Sequence, residues 1–108
     1  MAEAVVVFST CANLDEARRI ARATVEERVA ACAQILPQIQ SIYRWQGAVE
    51  ESTEVLVLFK TTQERLPELT RRITELHSYD TPEIVAVPVS GGAEKYLFWL
   101  RDSVGAAD

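Results

Sequence analysis

The chain has 108 residues, a net charge of −5 and a pI near 4.9, with 48% hydrophobic and 25% charged residues. This length suits one compact domain with a single core, and the composition is that of an ordinary globular protein. The acidic charge opposes binding to nucleic acid, and no apolar run approaches the ~20 residues that cross a bilayer. We therefore expect one domain over residues 1–108 that binds neither nucleic acid nor a membrane.

The first strand and helix are predicted near the N-terminus. Apolar residues over 4–8 begin a strand that we expect to run to about residue 10. Asn13 is a good helix N-cap, and Glu16 stands three residues later, where it can complete a capping box. Apolar side chains then recur every three or four residues, which is typical of an amphipathic helix.

A long hairpin is predicted next. Its first strand begins near residue 31 and is interrupted at Pro37, which places it at a sheet edge or a bulge. Gly47 marks the turn, and the second strand returns over about residues 49–61. Because each strand residue adds ~3.4 Å of length, the hairpin tip should project beyond the helices.

The second half of the chain supplies another helix, a last strand and a final helix. Thr62 can cap the second helix, whose buried stripe includes Leu69 and Ile73. The last strand is expected over residues 83–89, after Pro82 forces an extended chain. A bulky helix follows around residues 96–100, and the tail over 105–108 is expected to fray.

The predicted strands over residues 4–8, 55–59 and 84–89 are apolar on both faces. Successive side chains point to opposite faces of a sheet, so both faces of this sheet are apolar. The helices can cover one face. We expect another copy of the chain to cover the other face. The elements follow the order strand, helix, strand, strand, helix, strand, helix. With right-handed crossovers, this order predicts an α+β ferredoxin-like βαββαβ sandwich with an extra C-terminal helix and the strand order 4-1-3-2.

Cellular location is predicted from the N-terminus and the thiols. Residues 1–4 lack the basic residues of a secretion signal, and the apolar run after them is short. Cys11 and Cys32 are far apart and form no CxxC motif, which favours reduced thiols. We expect a cytoplasmic protein.

Several local strings point to a known family. They are residues 29–32 with Ile35 and Pro37, 41–47 (SIYRWQG), 54–62, 77–83 (HSYDTPE) and 96–99 (YLFW). In this order and spacing the chain resembles the CutA divalent-cation tolerance proteins over nearly its whole length. The resemblance implies a ferredoxin-like homotrimer, whose sheets pack around a three-fold axis, and a link to heavy-metal and copper tolerance.

Three possible metal ligands are predicted at one end of the domain. Because the last strand runs antiparallel to the first, Cys11, His77 and Glu83 should come together there. A thiol, an imidazole and a carboxylate suit a soft or borderline metal. The resemblance implies copper binding through a cysteine and two adjacent histidines, but this chain has Ser9 and Leu76 at two of those positions. We expect no obligatory cofactor and at most weak binding of copper or another divalent metal.

Structural roles compete with metal binding at each candidate ligand. His77 ends a helix, where the dipole favours a positive charge without any metal. Cys11 can be a simple loop thiol, and Glu83 can pair with a neighbouring cation. We favour these structural roles for all three residues.

A cleft or interface between subunits is also predicted. Lys60 ends the third strand at the opposite end of its own subunit from Glu83, so the two can meet only across a subunit boundary. A lysine among apolar residues needs an acidic partner. Aromatic side chains are enriched at interfaces, and those expected here are Tyr43, Trp45, Tyr79 and Trp99.

Catalytic motifs are missing from the sequence. No glycine-rich loop in the phosphate-binding form follows a strand, and no nucleophile elbow supports a triad. The prediction is a non-catalytic trimer that acts in copper or divalent-metal tolerance. Two alternatives stay open: a sensor that resembles the PII proteins and binds a small molecule between subunits, and a scaffold that holds an unknown partner protein through the hairpin.

Overall fold

The computed structural model describes residues 3–105 as four strands and three helices. The strands are β1 (Ala4–Cys11), β2 (Cys32–Trp45), β3 (Ala48–Thr62) and β4 (Val85–Pro88), and the helices are α1 (Leu14–Glu26), α2 (Leu66–Leu76) and α3 (Glu94–Ser103). The strands form one antiparallel sheet in the order β2-β3-β1-β4, which confirms the predicted topology. The fraying expected over 106–108 lies outside the described residues.

Helices α1 and α2 pack on one face of the sheet and form the core with it. Alternate residues of the central strands point into this core, as the period of two requires. Burial of each such side chain stabilises the fold by about 1.5–3 kcal/mol. The largest fully buried members include Val7, Val57 and Phe59 from the sheet and Ile20, Leu69 and Ile73 from the helices.

The start of α1 follows the sequence prediction with one correction. The Asn13 side chain accepts a hydrogen bond from the Glu16 backbone N–H at 2.8 Å, which confirms the N-cap. The reciprocal half of the capping box is absent, since the Glu16 carboxylate accepts instead from the Ala12 N–H at 3.3 Å. The Glu16 carboxylate does not reach back to the Asn13 N–H, because it also accepts a hydrogen bond from the backbone N–H of Ser78, which follows α2.

The β2–β3 hairpin is the longest feature of the molecule, which measures 43 × 26 × 22 Å. β2 is an edge strand, and its register shifts between Leu36 and Ile39, around Pro37, as predicted. At the turn, Gln46 and Gly47 have φ angles of 50° and 83°. Two consecutive positive φ angles suit the right-handed twist of a two-residue hairpin, and glycine adopts them without steric cost.

The last strand is shorter than the sequence indicated. β4 covers only Val85–Pro88, so the prediction of a strand from residue 83 to 89 was wrong at both ends. Pro88 pairs with Val5 but has no N–H to donate, and the Val89 N–H beyond it still donates to the Ala4 carbonyl oxygen at 3.0 Å. Since β4 begins at Val85, Glu83 lies in the loop that leads into the sheet.

The sheet face opposite α1 and α2 is apolar and largely uncovered, as predicted. Helix α3 covers only one end of it, where Leu100 and Val104 pack on Ala4 and Ala31. Val85 remains 52% exposed. We call the remaining surface the open face; its apolar side chains are Val6, Phe8, Leu36, Leu56, Leu58, Val85 and Val87.

Candidate functional site

A cluster of three possible metal ligands lies where β1 ends. The ligand atoms of Cys11, Glu16 and His77 are all within 4.8 Å of one another. The end of β1, the first turn of α1 and the end of α2 supply one residue each. The predicted approach of Cys11 and His77 is therefore present. Glu83 is exposed and lies outside this cluster, because the β1–β4 register continued past Val85 brings it level with Thr10, on the sheet face opposite Cys11. Glu16 supplies the carboxylate instead.

The hydrogen bonds of His77 use both of its ring nitrogens. Nε2 lies 2.7 Å from the carbonyl oxygen of Thr10, and Nδ1 accepts from the Tyr79 backbone N–H at 3.0 Å. A carbonyl oxygen can only accept, so this pattern assigns the neutral tautomer with its proton on Nε2. A metal ion would have to displace one of these two bonds.

Glu16 joins the start of α1 to the chain after α2. Its carboxylate accepts from the Ser78 N–H at 2.7 Å and lies 3.7 Å from the His77 ring. Burial acts to raise the pKa of Glu16, but the hydrogen bonds from Ser78 and Ala12 outweigh it and hold the pKa below its usual value. Sequence reasoning gave Glu16 only a capping role, although its position just after Cys11 was a signal for this end of the domain.

The depressed pKa of Glu16 predicts acid sensitivity. The charged carboxylate stabilises the fold fully above the unfolded pKa of about 4.3, and this stabilisation is lost as the pH falls through the lower folded pKa. We expect the free energy of unfolding in urea to fall between pH 5 and pH 3, and Glu16→Gln to reduce that slope. The exposed Glu64→Gln is the control and should leave the slope unchanged. An equal slope in wild type and Glu16→Gln would contradict this prediction.

The Cys11 thiol is not prepared to bind a metal. Burial, together with the negative charges of Glu16 and Glu54, raises the pKa of Cys11 to about 12. The thiolate is the form that binds metals, so the thiol must first lose its proton, and the raised pKa opposes that loss. With both His77 nitrogens engaged, the cluster does not fit a high-affinity metal centre in this conformation.

Ser9 lies in the core, two residues before Cys11 and on the same face of β1. Its buried hydroxyl has no hydrogen-bond partner within residues 3–105. Because an unpaired buried hydroxyl loses hydration without compensation, we expect Ser9→Ala to leave the free energy of unfolding unchanged or raise it by up to ~1 kcal/mol. Thr61→Val is the contrast, since the Thr61 hydroxyl donates to the Val29 carbonyl at 2.7 Å. Thr61→Val should lower the free energy of unfolding in urea by about 1 kcal/mol. A larger decrease for Ser9→Ala than for Thr61→Val would contradict the prediction.

A cavity of about 760 Å³ lies between the hairpin and the loop after α2. We call it the acidic groove. None of the described residues that line it is a lysine, arginine or histidine. Its charged and aromatic lining consists of Glu50, Glu54, Asp80 and Glu83 with Tyr43, Trp45 and Tyr79. Sequence reasoning missed Glu50, Glu54 and Asp80, although a glutamate directly before the buried run of β3 was a signal for Glu54.

Tyr79 connects the acidic groove to the cluster behind it. Its hydroxyl donates to Glu54 Oε2 at 2.8 Å, and its ring lies 4.7 Å from the His77 ring, centre to centre. Burial and the negative charge of Glu54 raise the pKa of Tyr79 far above its usual value. Tyr79 is therefore a fixed donor that orients the Glu54 carboxylate.

Lys60 lies at the other end of the open face, where its partners are aromatic. Nζ donates to the Tyr96 hydroxyl at 3.1 Å and stands 5.2 Å from the centre of that ring. The hydrogen bond with Tyr96 raises the pKa of Lys60. Within residues 3–105 no carboxylate forms an ion pair with Lys60. The predicted acidic partner is therefore not found among the described residues of one chain.

The four predicted interface aromatics separate into two groups. Tyr43, Trp45 and Tyr79 line the acidic groove. Trp99 lies 5.3 Å from Tyr96, ring centre to ring centre, on α3. Within one chain Trp99 lies apart from Tyr43 and Trp45, because α3 packs against the start of β1 and Tyr96 beside it contacts Lys60 near the end of β3. A cleft that brings these aromatic side chains together between subunits stays a prediction.

Sheet order and helix placement define the class of protein. A sheet in the order β2-β3-β1-β4, with α1 and α2 on one face, is a ferredoxin-like α+β domain, here with one added helix. The sequence profile of the CutA1 divalent ion tolerance protein family matches residues 5–103. The chain belongs to this family. None of the helices within residues 3–105 is both long and apolar enough to cross a membrane.

Relatives with known names or structures support this assignment. The divalent-cation tolerance protein CutA of Thermus thermophilus is 51% identical over 100 residues, which cover 93% of this chain and 97% of that protein. The human protein CutA is 47% identical over 94 residues, which cover 87% of this chain but only 52% of that protein. The chain thus spans about half the length of the human relative.

Solved structures of the family have the same fold. The crystal structure of CutA1 from Oryza sativa superposes with a TM-score of 0.94 at 38% identity, covering 98% of this chain and 97% of that one. The crystal structure of CutA from Xylella fastidiosa superposes with a TM-score of 0.92 at 40% identity, covering 95% of this chain and 99% of that one. One relative, from Arabidopsis thaliana, is named chloroplastic, and the Archaeoglobus fulgidus structure is named periplasmic.

Proposed function

We propose that this chain acts as a non-catalytic homotrimer in tolerance to divalent metal ions, in the cytoplasm. The observation that carries the proposal is the open face. Its apolar side chains extend across all four strands, and a patch of this kind on a single chain favours association. Closed symmetric assembly is the common solution, and the three-fold form is the one that the resemblance to the CutA proteins implies. The matched family supports the link to divalent cations.

Self-association has a direct test. Light scattering coupled to size-exclusion chromatography should return three times the chain mass of 12.1 kDa at micromolar concentration. Specific interfaces bury about 800 Å² per partner, and the open face offers a continuous apolar centre for such a contact. A folded species with the mass of one chain would overturn the proposal.

Catalysis is opposed by the state of the available nucleophiles. The Cys11 thiol has a raised pKa, and the Ser9 hydroxyl has no base within hydrogen-bond distance among the described residues. A serine or cysteine nucleophile needs an adjacent base or a lowered pKa. Both features therefore support a binding or assembly role.

Metal binding is proposed to be weak and to use Cys11, Glu16 and His77. This is the one group of at least three close ligand atoms from His, Cys, Asp or Glu within residues 3–105. Binding must release the Cys11 proton, so the apparent affinity should rise by up to about tenfold per pH unit. The thiolate would supply the soft ligand that Cu(I) prefers, while His77 would give up one of its present hydrogen bonds.

Calorimetric titration with Cu(I), Cu(II) and Zn(II) at pH 6, 7 and 8 tests the metal part. Cys11→Ser and His77→Gln should each weaken binding at least tenfold, while Cys32→Ser, the matched control outside the cluster, should not. Absence of saturable binding at millimolar metal, or equal binding by Cys11→Ser, would remove the metal part and leave the assembly part standing.

A small-molecule sensor is the second candidate, and the acidic groove is the observation that favours it. A phosphate-bearing nucleotide does not suit it, because its charged side chains are all acidic among the residues described. A thermal-shift screen should therefore show no rise in melting temperature with ATP or ADP, and a rise would contradict this electrostatic argument.

A further inference from the structure

We propose that the acidic groove binds an organic cation through an alkylammonium or guanidinium group. This goes beyond the proposed role in metal tolerance and rests on the geometry of one chain. The groove volume of about 760 Å³ lies within the range of small-molecule sites. A short diamine or a single cationic side chain fits within that volume.

Glu54 is the centre of the proposed site. The residue as a whole is only 8% exposed, and it lines the inner wall of the groove. Its single hydrogen bond among the described residues comes from the Tyr79 hydroxyl. An ionised carboxylate can accept about four hydrogen bonds, and a buried charge without a cation is costly. Glu54 therefore has acceptor capacity that a cationic donor in the groove would use.

The walls of the groove suit the rest of an organic cation. Tyr43 and Trp45 present aromatic surface to it from the hairpin. Aromatic faces attract a cation held within about 6 Å of the ring centre, and they also cover an alkyl chain. Glu50, Asp80 and Glu83 add negative charge around the same space. Carboxylates combined with aromatic rings are the chemistry that recognises an amine.

A bare metal ion fits this groove less well. A calcium or magnesium ion needs several oxygen ligands at about 2.0–2.6 Å from one centre. No three of the groove carboxylates have ligand atoms within 4.8 Å of one another, since the single such group in the described residues is Cys11, Glu16 and His77. Carboxylates that are spread over a cavity match a ligand whose charge is carried on a flexible chain.

Two sources can supply the same cation. One is a free amine, and the other is a lysine of a neighbouring copy in the assembly. Lys60 is the candidate within this chain, because it lies on the open face, opposite Val6, and forms no ion pair with a described carboxylate of its own chain. The two sources predict opposite behaviour in a ligand titration.

The experiment titrates the folded, assembled protein with 1,5-diaminopentane by calorimetry, with 1,5-pentanediol as the neutral analogue. The variant is Glu54→Gln, which keeps an acceptor for Tyr79 and removes the charge. Glu64→Gln, an exposed glutamate outside the groove, is the matched control. We expect saturable binding of the diamine, at least tenfold weaker in Glu54→Gln, unchanged in Glu64→Gln, and no binding of the diol.

Lys60→Met separates the two sources. If a neighbouring copy already fills the groove, wild type binds no diamine, whereas Lys60→Met binds it and the added change Glu54→Gln abolishes that binding. Absence of binding by both wild type and Lys60→Met, equal binding by Glu54→Gln, or equal binding of the diol would overturn the proposal. Circular dichroism confirms folding of each variant. Light scattering on the same samples shows separately whether self-association, and with it the proposed function, fails.

Discussion

Leu58→Asp is expected to convert the assembly into single chains of 12.1 kDa. Leu58 lies at the centre of the open face, directly opposite Phe8 on β1, which in turn pairs with Val85 on β4. Assembly would bury the new carboxylate among apolar side chains without a partner. An uncompensated buried charge costs about 3–5 kcal/mol, and a three-fold assembly meets this cost once per chain.

The matched control for this change is Leu14→Asp. Leu14 begins α1 on the other side of the molecule and is 36% exposed, and aspartate is favourable in the first turn of a helix. Light scattering at equal concentration should show an intact assembly for Leu14→Asp and single chains for Leu58→Asp. Circular dichroism must show that both variants are folded. An intact assembly in Leu58→Asp would exclude the open face as the contact between subunits.

Leu69→Ala is expected to destabilise the fold by about 2–5 kcal/mol. Leu69 is 0% exposed in α2 and packs in the core between the helices and the sheet. The change removes buried apolar surface and leaves a cavity that close-packed neighbours fill only in part. Such a loss is a large share of the 5–15 kcal/mol that separates typical native and unfolded domains.

Leu14→Ala serves as the control for this second change, because it makes the same substitution in a helix at a partly exposed position. It should cost less than about 1 kcal/mol, since little surface leaves the core. Urea unfolding at one fixed protein concentration gives both values and keeps the contribution of assembly constant. Similar losses for the two variants would contradict the assignment of Leu69 to the core.

The acidic groove and the cluster of Cys11, Glu16 and His77 lie on opposite sides of Tyr79. Tyr79 donates to Glu54 on the groove side and rests against His77 on the cluster side. His77 in turn holds the Tyr79 backbone N–H and contacts the Thr10 carbonyl. A ligand that shifts Glu54 would therefore act on the hydrogen bonds that now occupy His77.

The sheet and its connections could be predicted from local sequence because their causes are local. Two-faced apolar runs predicted the central strands, and Asn13 predicted the start of α1. Pro37 predicted an edge strand or a bulge, and β2 has both features. Right-handed crossovers then left one strand order, which the structure has. The predicted length of β4 was wrong, since the apolar run over 84–89 does not show where regular pairing with β1 begins and ends.

By itself, the sequence determined the class of fold, the need to cover a second apolar face and the presence of a thiol and an imidazole at one end of β1. Tertiary structure alone decided which carboxylate joins them, because Glu16 reaches Cys11 and His77 from the first turn of α1 whereas Glu83 lines the acidic groove. It also decided the state of these groups. Whether His77 is engaged, Cys11 protonated or Glu54 short of partners depends on atoms brought close by distant segments, and no local pattern encodes those distances.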